Sequence, residues 1–593
     1  MYWWDRREGL LQDEIEALRQ AGARPILNEE ALAAGQADVS ISAVIRGNTQ
    51  KIIIKYPDLF PYFRPEFFCV GLEALGHYNP ITGHMCLLTR GTEHWTPGMK
   101  AANLYLENLP KWEEAAFSDR ATAPPIEGED LQAEPFSAYY TVAPFMAFMM
   151  DSSWEISPTA TAGTLKVIFR EKISQSIDCE RLLGLVLSIS DNDNVIHEVP
   201  DKIMNWASTF LDENTILDVP WIRLNEPIQS NDPKVFFDKI NTVSPNVYQV
   251  LSSRHGQYNF ILCGFTFREE IARGISKDGW IFLIAKKTIT NRKKPRQERR
   301  FAQLVRSEPY STNDYFERIS NMRSLQTKRI AVFGLGCLGS TSATMLAQSG
   351  VAELVLVDKD QVSPSITCRT TYSLVDSGLP KMEALAHYLS SKFPFTYVLT
   401  NLFPSDHSGR PFPLINLGQF GCPYNQDDFL EAVLDKVDLI FDATAEEGIH
   451  HLLADRAQKK GIPIIFLSSR HGGMGGLVAR LRPDGSNGCF ACYAKHKDQE
   501  TFPQAPEDLD ANVQPGGCAD VTFQASVFDV REVALTAVRL AVSTLCEGEE
   551  NAYPSANWDL AVMSLVEEGK MLVPTWTTHH LTPHPDCQCK TRQ

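Results

Sequence analysis

The residues best suited to chemistry stand between Lys328 and Lys381. Gly334, Gly336 and Gly339 have G-x-G-x-x-G spacing and directly follow the apolar run Arg329-Ile330-Ala331-Val332-Phe333. Glycines so spaced let backbone N–H groups approach a phosphate, and the N-terminus of a following helix meets it with unpaired donors and partial positive charge. Asp358 ends a second apolar run, Glu353 to Val357, and is placed to accept from a ribose hydroxyl. Asp360, Arg369 and Lys381 extend the set. A hydride-transferring enzyme has no use for two cations here. An enzyme that splits ATP at its α-phosphorus does, because it must neutralise a triphosphate as pyrophosphate leaves.

The chain has 13 cysteines, with one C-x-x-C at Cys489 and Cys492 and one C-x-C at Cys587 and Cys589. An odd, scattered set reads as metal or thiol chemistry in a reducing compartment, here the cytoplasm, and not as a disulfide framework.

These residues need elements to hold them. The glycine loop joins a strand to a small-residue helix, Ser340 to Gly350, and a strand from Val437 to Phe441 leads to Asp442. Helical periodicity over Leu10 to Gln20 precedes strand-like runs at Asp38 to Val44 and Lys51 to Tyr56, then a proline-dense rigid loop, Tyr56 to Pro65. The predicted fold class is multidomain α/β. It has an α+β domain over 1–118, an acidic, proline-bearing solvated linker over 119–137, a mixed α/β middle domain over 138–300 and a Rossmann-like domain over 301–593. The basic run Arg292 to Arg300 reads as an exposed linker, with a steering patch for an acidic or nucleotide ligand as the sharper alternative. Met146, Met149, Met150 and Trp154 read as core.

A net charge of −17 over 593 residues argues against direct nucleic-acid binding. No apolar run reaches the length of a membrane span, and the N-terminus lacks a signal-peptide core.

The run Asp358-Lys359-Asp360-Gln361-Val362, then Ser365-Ile366-Thr367-Cys368-Arg369-Thr370 and Lys381, resembles the ThiF/MoeB/ubiquitin-activating superfamily. The resemblance implies that Asp358 binds the ATP ribose and that Arg369 and Lys381 hold the phosphates. Ile366 stands where that family usually has Asn, Thr370 where it has Gln, and Ala445 where a second Asp helps hold the Mg2+-nucleotide. Asp442, Glu446 and Glu447 are the candidate substitutes. The superfamily often carries one structural Zn2+ on two C-x-x-C pairs, which implies Cys489, Cys492, Cys587 and Cys589 as ligands to a tetrahedral ion. The second pair is one residue short, and His584 is the alternative donor. Cys518 falls where the family's second chemical cysteine lies, ahead of a helical stretch, Val521 to Leu540. A helix N-terminus would lower its thiol pKa.

The order of helix, meander, Tyr56-Pro57, His77-Tyr78-Asn79, Cys86-Leu87, Trp95-Thr96-Pro97 and helix resembles the ubiquitin-conjugating fold. That implies Cys86 as a thioester-forming nucleophile and Asn79, seven residues earlier, as donor to the developing oxyanion. His84 reads as a loop residue. Both ends together resemble the fused conjugating–activating enzymes of bacterial CBASS anti-phage operons. The resemblance implies a homodimer that activates the C-terminus of a cGAS-like nucleotidyltransferase, or of a ubiquitin-like protein, and passes it to a target amine. A sulfur-carrier adenylyltransferase and a non-catalytic scaffold remain as alternatives. The first leaves Cys86 unexplained, and the second draws on Ile366 and Ala445.

Overall fold

The computed structural model describes residues 2–7, 9–87, 95–125, 133–170, 181–191, 194–211, 216–245, 260–289, 298–400, 417, 425–484, 486–514 and 522–587. The chain forms two compact units, one of residues 1–199 with 211–310, the other of residues 200–210 with 311–593.

The first unit begins with an antiparallel meander. Strands Ala37–Ile45, Asn48–Tyr56, Glu66–Phe68 and His84–Met85 pair in chain order, with Ile26–Leu27 at the edge. Arg46 and Gly47 both have positive φ, the geometry of a two-residue hairpin turn, which sets the register Ile45 to Asn48. Leu11, Ile15 and Leu18 of the helix Leu10–Gln20 join one core with Val39, Ile41, Ile52 and Ile54. The Trp95 indole N–H donates to the Pro61 carbonyl at 2.9 Å and pins the proline loop to this core.

The same unit continues into a larger sheet. Strand Val142–Met150 pairs in parallel with Glu298–Pro309 on one side and with Leu182–Asp191 on the other, so the sheet closes on itself. The middle region is therefore a closed β-structure with the helix Pro233–Val243 against it, more strand-rich than the expected mixed α/β domain. Phe148 and Phe282 stack inside it at 4.0 Å, and Met146, Met150 and Trp154 are buried as expected, with Met149 half-buried. The expected boundary at 300 falls inside the strand Glu298–Pro309. The expected linker is not simply solvated: Arg120 is buried, and Glu134 takes part in a hydrogen-bond network within this unit. Most of the basic run, 292–297, lies outside the described residues.

The second unit is built on an eight-stranded sheet. Tyr397–Leu399, Glu353–Val357, Arg329–Phe333, Leu439–Asp442 and Ile464–Ser469 run parallel in that spatial order. The strand order therefore reverses between Arg329–Phe333 and Leu439–Asp442, a topological switch point where α/β sheets bind ligands. Gly475–Leu481, Leu560–Glu567 and Lys570–His579 extend the sheet antiparallel. The helices Cys337–Gln348 and Val527–Leu545 share the buried core with this sheet, and small residues such as Ala343, Ala534 and Ala537 allow close approach. The helix Asp201–Phe210, which the sequence placed in the middle region, belongs to this unit: the Trp206 indole N–H donates to the Ser391 carbonyl at 3.2 Å.

Candidate functional site

A cavity of about 350 Å³ opens at the switch point. Gly334 (φ +79°) turns the chain out of its strand, and a side chain there would come within 2.8 Å of the Ala443 and Thr444 backbone. Gly336 also lines the cavity and has nothing within 4 Å of where a Cβ would stand, so the backbone is open to a phosphate. Gly339 differs from that expectation. It does not line the cavity, and a Cβ there would sit 1.7 Å from the Gly334 carbonyl oxygen, so it is a packing glycine that seats the helix on the loop.

Asp358 is buried at the cavity floor, accepting from the Leu335 N–H at 2.5 Å and the Asp360 N–H at 2.7 Å. Burial pushes its pKa up, opposed by the nearby Lys381 charge and by these amides. Lys381 opens the helix Lys381–Lys392 and places Nζ 2.7 Å from Asp360 Oδ2 and 3.9 Å from Asp358 Oδ1. Arg369 lines the wall. Its Nη1 donates to the Phe523 carbonyl at 2.6 Å, its Nη2 to Thr522 Oγ1 at 3.0 Å, and its guanidinium lies 5.2 Å from the Phe523 ring centre. Ile366 and Thr370 also line the cavity.

Asp442 needs a correction. It is fully buried and does not line the cavity. Oδ1 accepts from the Thr444 N–H at 3.0 Å and hydroxyl at 2.7 Å, and Oδ2 lies 2.6 Å from His450 Nδ1. Its carboxylate is spent on shaping the loop. The carboxylate that does face the cavity beside Asp360 is Glu446, next to Ala445, which has φ +56°. Asp360 and Glu446 are both about half exposed, at 52% and 56%, and supply the hard oxygen donors that Mg2+ prefers.

Cys489, Cys492 and Cys587 converge elsewhere in this unit, with all three Sγ atoms within 4.8 Å of one another. Three close soft donors suit zinc. Burial pushes the Cys489 thiol pKa up. His584 does not stand free as a replacement ligand: Nε2 lies 3.0 Å from Gln499 Oε1, and Nδ1 accepts from the Asp586 N–H at 3.1 Å. Cys589 and Cys518 lie outside the described residues.

In the first unit Cys86 is half-buried and its N–H donates to the His77 carbonyl at 2.9 Å. The Asn79 N–H donates to the His84 carbonyl at 2.8 Å, and Tyr78 bridges Met85. These two hydrogen bonds flank the Tyr78–Met85 bridge and tie the Cys86 and Asn79 backbones to it. Tyr78 is buried with its hydroxyl donating to the Cys69 carbonyl at 2.9 Å. His84 sits in a short strand against the Phe68 ring, 5.1 Å between centres.

Several contributors escape sequence reasoning. The Tyr372 hydroxyl donates to the Leu335 carbonyl at 2.8 Å, and Thr522 and Phe523 anchor Arg369. None belongs to a local pattern that spacing could reveal.

Residues 312–546 match the model of the ThiF family. The whole chain is 26% identical to the uncharacterized protein y4oA of Sinorhizobium fredii (strain NBRC 101917 / NGR234), over 100% of this chain and 98% of that one. It is 28% identical to y4qC of the same organism, over 97% and 96%. Ubiquitin-like modifier-activating enzyme 5 of Drosophila grimshawi is 27% identical over 224 residues, 36% of this chain and 54% of that protein. Among solved structures, E. coli MccB with ATP aligns at a TM-score of 0.33 and 15% identity, over 47% of this chain and 74% of that chain.

Proposed function

We propose that this chain adenylates the C-terminal carboxylate of a protein with ATP, carries the acyl group on Cys518 and then Cys86, and transfers it to an amine. The observation that carries the first step is the switch-point cavity in the segment that matches the ThiF family, where an open glycine backbone, Asp358, Arg369 and Lys381 face one space. The Gly336 backbone and Lys381 take up phosphate charge, and Asp358 accepts from the ribose. Asp360 and Glu446 would hold Mg2+, which when bound shields the triphosphate. The incoming carboxylate oxygen attacks the α-phosphorus, and the bond to the bridging oxygen breaks as pyrophosphate leaves. Cys518 thiolate then attacks the acyl carbon and AMP departs. Cys86 displaces Cys518 in a second exchange, and an amine displaces Cys86.

Cys489, Cys492, Cys587 and Cys589 would hold a structural Zn2+, which contributes folding energy and no chemistry. The proposed setting is a homodimer in the cytoplasm. The proposed acyl donor is a cGAS-like nucleotidyltransferase in anti-phage defence, with a ubiquitin-like protein as the alternative. ATP–pyrophosphate exchange tests the adenylation step. Exchange should require ATP and the donor protein's free C-terminus, and its absence with a donor bearing the native terminus contradicts the proposal.

A further inference from the structure

Asn79 and Cys86 are both tied to one turn that the chain supplies more than forty residues later. The Tyr139 carbonyl accepts from Asn79 Nδ2 at 3.2 Å. The Tyr139 hydroxyl donates to Glu134 Oε2 at 2.7 Å, and Glu134 Oε1 lies 2.8 Å from His77 Nδ1. Glu134 also accepts from the His77 N–H. The His77 carbonyl in turn accepts from the Cys86 N–H at 2.9 Å and from the Trp112 indole at 2.7 Å. On the far side, the Glu134 N–H donates to Glu270 Oε2 at 2.7 Å, and Arg120 bridges Glu270 at 3.0 Å and His77 Nε2 at 3.0 Å.

We propose that the turn Glu134–Tyr139 is a positioning element for acyl transfer at Cys86, fixing the direction in which the Asn79 amide offers its hydrogen. The inference rests on the roles given to Cys86 and Asn79 under the proposed function. Asn79 Oδ1 accepts from the Ile81 N–H at 2.9 Å and the Thr82 N–H at 3.1 Å, which settles which end of the amide is oxygen. One Nδ2 hydrogen goes to Tyr139, and the other makes no bond among the described residues. An amide pinned at both ends presents that hydrogen without reorganising, which is what an oxyanion donor requires. Glu134 stays ionised. Burial works against its charge, but the His77 contacts outweigh it and hold its pKa below the ordinary carboxylate value. Burial, and then the charge of Glu134, push the Tyr139 phenol up, so it remains a donor, and its hydroxyl is within electrostatic reach of Cys86.

In the step concerned, the amine lone pair attacks the acyl carbon of acyl-Cys86 and the carbonyl π pair moves to oxygen. Collapse re-forms the carbonyl, the C–S bond breaks with its pair leaving on Sγ, and the ammonium proton passes to the thiolate or to water. Asn79 meets the transient oxyanion, and Glu134 and Tyr139 act only through Asn79.

The test uses the full chain with Cys86 acylated directly by a small aryl thioester, so that adenylation is bypassed. Discharge to a small primary amine is followed for wild type, Asn79→Ala, Glu134→Gln and Tyr139→Phe, with thermal melts to confirm folding. Glu134→Gln and Tyr139→Phe should each slow maximal discharge by about tenfold, less than loss of an oxyanion donor itself, with the amine KM unchanged. Glu134→Gln should add less than about twofold in the Asn79→Ala background, because both changes act on one group. Wild-type discharge in either variant, an effect on KM alone, or the full effect repeated in the Asn79→Ala background overturns the proposal. Equal rates for wild type and Asn79→Ala would instead remove the donor role of Asn79, and the turn's role with it.

Discussion

Asp358 shows how far spacing alone reaches and what it leaves out. Its place at the end of the second strand is readable from the glycine fingerprint. Its burial, its two backbone donors and its neighbour Lys381 are readable only in the fold. Asp358→Ala and Lys381→Ala should each cut pyrophosphate exchange at least a hundredfold while far-UV circular dichroism stays unchanged. Retained exchange in either would remove that residue from the site. The raised pKa also has a sign. On the proposed role, protonation would remove the acceptor for a ribose hydroxyl and a charge 3.9 Å from Lys381 Nζ, so affinity should be present above the folded pKa and be lost as pH falls through it. Because burial raises that pKa, the loss should begin above about 3.9, the value for an ordinary aspartate. Titrating ATP binding in wild type and Asp358→Asn side by side cancels the titration of the nucleotide itself, and parallel curves would contradict the account. Asp442 and Glu446 mark the limit of sequence reading. The first is claimed by His450, eight residues on in the following helix, and no spacing rule announces that pairing.

At the scale of elements, the strand–loop–helix unit and the N-terminal meander were legible because both are local: a hydrophobic period, a turn and a glycine each act on neighbours in sequence. Closure of the middle sheet was not, because it depends on Val142–Met150 finding Leu182–Asp191 and Glu298–Pro309. The docking of the helix Asp201–Phe210 on the second unit was hidden for the same reason. Two glycine substitutions separate packing from propensity. Gly339→Ala forces a methyl to within 1.7 Å of the Gly334 carbonyl, so the helix must shift. It should lower stability by about 1–3 kcal/mol and weaken ATP binding. Gly448→Ala, in the first turn of the helix Glu447–Lys460, has open space around it. It should be neutral or stabilising by up to about 1 kcal/mol. Thermal unfolding with and without ATP checks both. The thiol cluster calls for metal analysis: one zinc per chain, and a lower melting temperature on chelation. Less than half an equivalent with an unchanged melt would leave the three thiols as packing residues.

At the scale of the molecule, the switch-point cavity and Cys86 belong to different compact units, so the proposed mechanism requires an acyl group to pass from one to the other. The proposal assigns that hand-over to two cysteines in a fixed order, and the order is its most exposed claim. Intact-protein mass spectrometry of the ATP reaction with its donor protein, on wild type, Cys86→Ala and Cys518→Ala, measures it directly. Cys86→Ala should accumulate a reductant-sensitive adduct on Cys518 and yield no amide, while Cys518→Ala should form acyl-adenylate and load neither thiol. Normal loading of Cys86 in Cys518→Ala would contradict the account, because the acyl group would then pass from the adenylate straight to Cys86.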